Sequence, residues 1–549
     1  MRRPVRPHPW RARGGRACLI GSAIAAACAA VVPIAVHAQA GAPAAAEPVF
    51  DLMEIEVEGN SVLSVMEIER AVTPHLGPGR GMPGVEAARA ALEQAYQKAG
   101  WLSVLVDVPE QRVVDGVVRL RVVEGRVERL HVTQARYFDQ DWIREKVPAL
   151  TPGTVPNFNL VQNQLATVNR TEDRRVQPFL RPGREPGTLQ AELRVEDRLP
   201  FSGSVELHNR HARDTVPWRL SATLRYDNLW QREHGLAITA TTAPENTRQT
   251  RMLSANYSVP VDDGGAWLGY AVLSDSLTEP LGASVIGKGG TLGLRRMLPL
   301  PGVPDLPDLT HGLVLGADLK LTHQNTVAGS DTIASPLRYL PLTLGWNGNR
   351  YGSHGSSSLS LTLTLAARSL LARTVDCVGL PTDQFACSRR NADGSFATLR
   401  ADWRPQWKLG AQGWQLLGRV ATQQASGPLV SGEQFVLGGA DTVRGYRETE
   451  TAGDNAWLGS IELRSPNLGK TLGVDELVAS AFAEAARGEV IDPAIGQSPY
   501  TSLAGAGFGL QLRLTRQIDG GLDLAWPLRL TANTATRTPR LHARMALRF

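Results

Sequence analysis

The sequence predicts small α+β domains followed by an all-β transmembrane barrel of about 16 antiparallel strands. Three observations predict it. From about Leu199 onward, short segments alternate apolar with polar residues, and the polar face carries the Arg, Asp, Lys and Gln that a wet lumen allows. The last segment also alternates and ends on Phe549, as a strand that closes a ring and removes its open edge. Beyond the N-terminal leader, no window holds the ~20 uninterrupted apolar residues that a spanning helix needs.

Composition agrees. Of 549 residues, 54 are Gly and only 20% are charged, which suits many short strands and turns better than helical bundles. The formal net charge is +5, with no long run of one sign, so a nucleic-acid footprint is not indicated.

Residues 1–38 read as a secretory signal: the basic MRRPVRPHPWRARGGR, the apolar ACLIGSAIAAACAAVVPIAV, then HAQA. Cleavage is expected after Ala38 or, alternatively, Ala40. A membrane anchor is the competing reading, and Arg2-Arg3 lacks the rest of a twin-arginine pattern. Cys18 and Cys28 would leave with the signal. Cys377 and Cys387 flank VGLPTDQFA, and in an exported chain two cysteines this close read as a disulfide. A metal pair would need further His or Cys ligands, and none stands nearby in sequence.

After a linker over 39–50, the first domain spans 51–125. LMEIEVEG alternates, with Met53, Ile55 and Val57 on one face. Ser64 and Glu67 have capping-box spacing ahead of a short helix. VEAARAALEQAYQKAG puts Val85, Ala88, Leu92 and Tyr96 on one helical face and stops at Gly100. Strands follow around LSVLVDV and VVRLRVV. The order recurs over 126–198. RVERLHVT reads as a strand, Asp139 caps a helix containing Trp142, and NFNLVQNQLATVN presents Val161, Leu165 and Val168. TLQAELRVED then alternates cleanly. Open sheet edges in such domains can accept an extended guest strand through backbone hydrogen bonds.

Within 199–549, RLSATLRY, HGLVLGADLKLTH, SLSLTLTLA, IELRS, FGLQLRL and LHARMALRF repeat the alternation. Gly505, Gly507 and Gly509 run into a strand and read as close lumen packing, not as a phosphate cradle. One long loop, 425–455, contains GGADTVRGYRE. A loop beyond ~12–15 residues without its own secondary structure is usually functional or disordered. An arginine folded into the lumen needs a carboxylate, and Glu484, on the same face as Phe482 in VASAFAEAARG, offers one.

These residues carry a family resemblance. Val443-Arg444-Gly445-Tyr446 resembles the loop motif of the two-partner secretion transporters, the TpsB family (haemolysin secretion/activation type), within the outer-membrane assembly-factor superfamily. Val106 to Leu130, with Pro109, Gln111, Gly116, Glu124 and Gly125, resembles the end of that family's first POTRA domain and the start of the second. FLRPGREPGTLQAELRVED resembles the end of the second. The strand motif that receives the arginine is Phe-x-Asp-x-Gly in the family and Phe482-Ala-Glu484-Ala-Ala486 here. The carboxylate is kept with one more methylene, and the glycine is replaced.

The resemblance implies two periplasmic POTRA domains ahead of a sixteen-stranded barrel in the outer membrane of a Gram-negative cell. It also implies export of one large, unfolded partner protein without nucleotide; haemolysin, adhesin and toxin all remain open as cargo. Outer-membrane lipid and the barrel assembly machinery, acting through the C-terminal strand, are further expected partners. The family often carries a plug helix, for which the short stretch after Ala38 leaves too little chain. The alternative function is an insertase that assembles other barrels; a passive porin would have no use for residues 51–197. No HExxH, GxSxG or P-loop occurs, so neither catalysis nor a cofactor is expected, and the histidines lack metal-ligand spacing.

Overall fold

The computed structural model describes residues 50–213, 215–276, 287–328, 331–377 and 379–549. The expected signal, most of the linker and the absence of a plug helix fall outside the described residues.

The first domain runs β1 (Glu54–Glu58), α1 (Val65–Val72), α2 (Gly81–Lys98), β2 (Val104–Asp107) and β3 (Val117–Glu124). Its sheet has the order β1-β3-β2, with β1 and β3 parallel. The capping box at Ser64 and Glu67 is present in full. On α2, Val85, Ala88, Leu92 and Tyr96 are completely buried. Met53 departs from the expected inward face: β1 starts only at Glu54, and Met53 is 63% exposed on the stretch that approaches Gly116.

The second domain comprises β4 (Arg126–Thr133), α3 (Gln140–Glu145), α4 (Phe158–Val168), β5 (Arg174–Pro182) and β6 (Thr188–Asp197), with sheet order β4-β6-β5. Asp139 caps α3, and Asn157 caps α4 through the backbone N–H groups of Asn159 and Leu160. Val161, Leu165 and Val168 on α4 meet Ala191, Leu193 and Val195 on β6 in a single apolar core.

The barrel wall begins with β7 (Phe201–His208), β8 (Arg219–Leu229), β9 (His234–Thr242), β10 (Thr250–Pro260), β11 (Ala266–Ser276), β12 (Gly287–Pro299) and β13 (Leu309–Ala328). It continues with β14 (Asp331–Tyr339), β15 (Leu342–Gly352) and β16 (Gly355–Ala366). A surface excursion holds the ribbon β17 (Thr374–Cys377) and β18 (Leu380–Asp383) and the short helix α5 (Gln384–Ser388). The wall resumes with β19 (Phe396–Leu409) and β20 (Trp414–Ala425). The long loop follows and contains its own ribbon, β21 (Phe435–Leu437) with β22 (Thr451–Gly453). The remaining elements are β23 (Asn455–Arg464), the turn α6 (Gly469–Leu472), β24 (Glu476–Glu489), β25 (Tyr500–Arg513), β26 (Ile518–Pro527) and β27 (Arg540–Arg548).

The ring closes antiparallel, β27 onto β7. Its strands fill sixteen positions, because β15 pairs with the first half of β13 and β14 with the second half. Backbone bonds between Phe549 and Gly203 (2.9 and 3.0 Å) extend the closure by one residue, and the Phe549 ring lies 6.4 Å from that of Phe201. Alternation then sorts the faces. On β12 and β13, Leu292 and Leu315 point outward, while Thr291, Asp318 and Lys320 are buried inside. A closed ring pairs its backbone polar groups around the circumference, which is what a lipid environment demands.

The second domain is tied to barrel turns. Arg174, sandwiched between the Phe138 and Trp142 rings (4.6 and 4.7 Å), reaches Glu233 in the β8–β9 turn at 2.5 Å. Gln231 of that turn accepts from the Asp139 N–H at 3.1 Å and donates to the Tyr137 carbonyl at 3.2 Å. Lys146 meets Asp262 in the β10–β11 turn at 2.8 Å.

Candidate functional site

The loop from Ser426 to Asp454 folds back into the lumen as a strap. At its turn stands Val443-Arg444-Gly445-Tyr446, and all three side chains are buried. Val443 and Tyr446 pack with Leu437, Leu458, Ala486 and Leu503 in an apolar cluster. The Tyr446 hydroxyl donates to the Arg529 carbonyl (2.8 Å) and accepts from the Arg529 N–H (3.2 Å), engaging the chain beyond β26. Gly445 adopts φ +113°, a conformation open to glycine and strained for L side chains, and so lets Arg444 and Tyr446 point to different walls.

Arg444 lies against three strands. Its backbone N–H and Nε donate to the two Glu484 oxygens at 2.6 and 2.8 Å. Nη2 is 2.7 Å from both Glu484 Oε1 and Glu462 Oε2. Nη1 is 3.7 Å from Asp523 Oδ2. The guanidinium also stacks 3.3 Å from the centre of the Phe482 ring. Arg464 shares Glu462 at 2.7 Å. Two guanidinium groups thus face three carboxylates from β23, β24 and β26. Such charge-assisted, forked bonds fix direction as well as position.

The longer Glu484 reaches both the backbone and the side chain of Arg444. Ala486, at the position of the family's glycine, is 2% exposed and fills the apolar cluster beneath Val443 and Tyr446. Gly505 gives the strap its clearance: a Cβ there would sit 2.4 Å from the Arg444 carbonyl oxygen.

The strap has a second hold. Glu433, in its first limb, takes Lys320 Nζ at 2.6 Å and the Tyr339 hydroxyl at 2.7 Å, while Arg400 donates to its carbonyl at 2.9 Å. Sequence reasoning missed Glu462, Asp523 and this second hold. Glu462 lay on the polar face of IELRS, and its register partner is Phe482; that neighbour relation is set by strand pairing and is invisible to alternation alone.

The other singled-out residues serve local structure. Gln111 donates to the Arg119 carbonyl (2.8 Å) and accepts from its N–H (2.7 Å), pairing with β3 beyond the end of β2. Pro109 lends its carbonyl to the same Gln111 amide at 3.3 Å. Gly116 sits in the turn ahead of β3, and its carbonyl accepts from Met53 N–H at 2.9 Å. Glu124 pairs with Arg126 at 2.8 Å, and the Gly125 N–H bonds the Ser103 carbonyl at 3.1 Å. Cys377 and Cys387 are joined, with Cα atoms 5.8 Å apart, and tie α5 to β17. Among the described residues, no cluster of His, Cys, Asp or Glu could hold a metal ion.

Comparison with known proteins places this architecture. Residues 50–125 match the family of ShlB-type POTRA domains, and residues 315–512 match the haemolysin secretion/activation protein family ShlB/FhaC/HecB. The outer membrane transporter CdiB of Dickeya dadantii is 23% identical over 509 residues, covering 89% of this chain and 85% of that protein. The solved CdiB from Escherichia coli superposes with a TM-score of 0.59 at 20% identity, over 94% of this chain and 93% of that one. A BamA from Haemophilus ducreyi lacking POTRA domains 1–3 shares the fold at a TM-score of 0.54 and 14% identity, over 91% of this chain and all of that one (100%). With residues 50–125 matching the ShlB-type POTRA domain and residues 315–512 the ShlB/FhaC/HecB family, a closed barrel and a strap carrying Val443-Arg444-Gly445-Tyr446, the chain has the domains and architecture of the haemolysin secretion/activation proteins, the outer-membrane transporters of two-partner secretion.

Proposed function

We propose that this protein captures one large, unfolded partner polypeptide in the periplasm and passes it through the barrel lumen to the cell surface. The partner is of the haemolysin, adhesin or toxin type. The observation that carries the reading is the buried Arg444, held on Glu484, Glu462 and Phe482 inside the lumen. A strap fixed by directional charged bonds is a part that can be displaced as a unit when cargo enters. The POTRA sheets supply edges on which a guest segment adds as a strand, with main-chain bonds giving affinity and side-chain pockets giving selection. The ties of Arg174, Gln231 and Lys146 to barrel turns put the second domain in mechanical contact with the wall. Folding of the cargo outside opposes its return and supplies direction. Lipid is the partner of the outer apolar belt, and the closing strand ending at Phe549 is the segment that barrel assembly machinery would read.

The experiment is partner export at equal barrel abundance for Arg444→Ala and Glu484→Ala. Export falls in both; normal export in both removes the strap's role. Deletion of residues 51–197 should abolish export while leaving a folded barrel. An insertase that assembles other barrels is the second reading; the BamA likeness is one of fold alone. Restored assembly of other barrels in an assembly-deficient strain, with no partner exported, would favour it.

A further inference from the structure

At the surface end of the barrel, Asp454 closes the strap and is completely buried. It accepts the Leu429 N–H at 3.0 Å and the Ile491 N–H at 2.7 Å. The Gln434 side chain adds a third bond at 3.1 Å. Its charge is met from outside the strap by Arg389: Nη2 lies 2.7 Å from Oδ2, and Nη1 bonds Oδ1. The same guanidinium donates to the Leu429 and Ile491 carbonyls. One side chain therefore stitches together three surface loops: its own, the strap, and the β24–β25 connection.

Arg389 is built to hold that position. It follows α5, donating its N–H to the Phe385 carbonyl at 2.8 Å, two residues after the disulfide-bonded Cys387. Gln384, fully buried, pairs with β14 through the Arg338 N–H and carbonyl at 2.8 and 2.9 Å. Below, Phe385 lies against Tyr339, and Phe396, Leu429 and Val430 complete an apolar cluster that includes strap residues. The disulfide loop and the base of the strap thus share one small core as well as one ion pair.

We propose that Asp454 and Arg389 are positioning residues for the strap, and that the disulfide-closed loop governs whether the strap stays in the lumen. Arg444 holds the tip; Arg389, acting from the cell-surface end, holds the base. A buried carboxylate stripped of its counter-charge favours a state in which water reaches it, here the strap lifted out. The inference rests on the export reading, but its test needs no cargo.

The test uses the full-length protein in the outer membrane of intact cells, with trypsin added outside, and the purified protein in planar bilayers. Arg444 and Arg447 are tryptic sites that a docked strap protects. Arg389→Gln and Asp454→Asn should each speed cleavage there about tenfold or more and raise the open fraction of the channel. The double variant should go no further than either single one. Arg389→Lys should fall between, since an ammonium cannot fork across both carboxylate oxygens. Dithiothreitol on the assembled wild type, or Cys377→Ser with Cys387→Ser, should shift both readouts in the same direction. Unchanged heat-modifiable mobility on gels verifies an intact barrel. If Arg389→Gln fails to assemble, Arg389→Lys and the reduced wild type carry the decision. Wild-type cleavage and conductance in the Arg389 variants, beside a strongly altered Arg444→Ala, overturn the proposal. An Arg444→Ala control that also behaves as wild type sinks the strap reading itself, and this inference with it.

Discussion

The second POTRA domain and the barrel are built by opposite rules. In the domain, Ile143, Val168, Leu193 and Val195 face inward, and charge is mostly left outside. In the barrel, most wall leucines face outward, and the interior is a lattice of Arg, Lys, Asp and Glu, with two small apolar clusters where the strap packs. The domain is held by non-directional burial of apolar surface, which tolerates substitutions of similar volume. The lumen is held by bonds with direction and valence, in which the loss of one partner orphans another. A continuous apolar core is hard to part locally. A strap fixed by a few countable bonds and two small apolar clusters can leave its wall while the wall stays closed.

Substitutions that separate the two rules should rank accordingly. Arg444→Ala leaves Glu462 and Glu484 buried without their shared guanidinium. It should weaken strap docking by about 3–5 kcal/mol, read as lost hydrogen-exchange protection at 440–448 with wall strands unaffected. Leu193→Ala opens a cavity in the domain core and should cost about 2–5 kcal/mol. The probe is urea unfolding followed by Trp142 fluorescence, because that indole packs on the same core. Leu292→Arg, midway along β12 on the outer face, should cost about 2–4 kcal/mol in refolding into liposomes. Thr291→Arg, one residue away on the lumen face, should cost clearly less. Equal costs would contradict the assignment of faces. Ser64→Ala removes the α1 capping box and should cost about 1 kcal/mol, seen as faster exchange confined to the first turn of α1.

Legibility follows the same divide. Local periodicity was readable: the buried face of α2, the caps at Ser64 and Asp139, and the inward and outward rows of β13 all follow from residues a few positions apart. The long loop and its arginine were readable too, as was Glu484, because strap and strand carry distinctive residues. Register was not. Alternation assigns a side chain to a face but does not say which residue stands beside it on the next strand. That Glu462 aligns with Phe482, and so completes the Arg444 site, depends on the β23–β24 pairing. The Lys320–Glu433 and Arg389–Asp454 contacts join residues separated by 113 and 65 positions, and no local signal announces them. The sharing of β13 by β14 and β15 escaped for the same reason: a 20-residue strand with two successive partners looks, from its own sequence, like any long alternating run.

The bare backbone at Gly505 has a practical consequence. Since a single methyl group there would collide with the Arg444 carbonyl, a bulky residue at 505 acts as a wedge, prising the strap away while every charge remains in place. Gly505→Val is therefore a means of jamming the gate ajar by shape alone, and of asking whether cargo traffic obeys geometry or electrostatics.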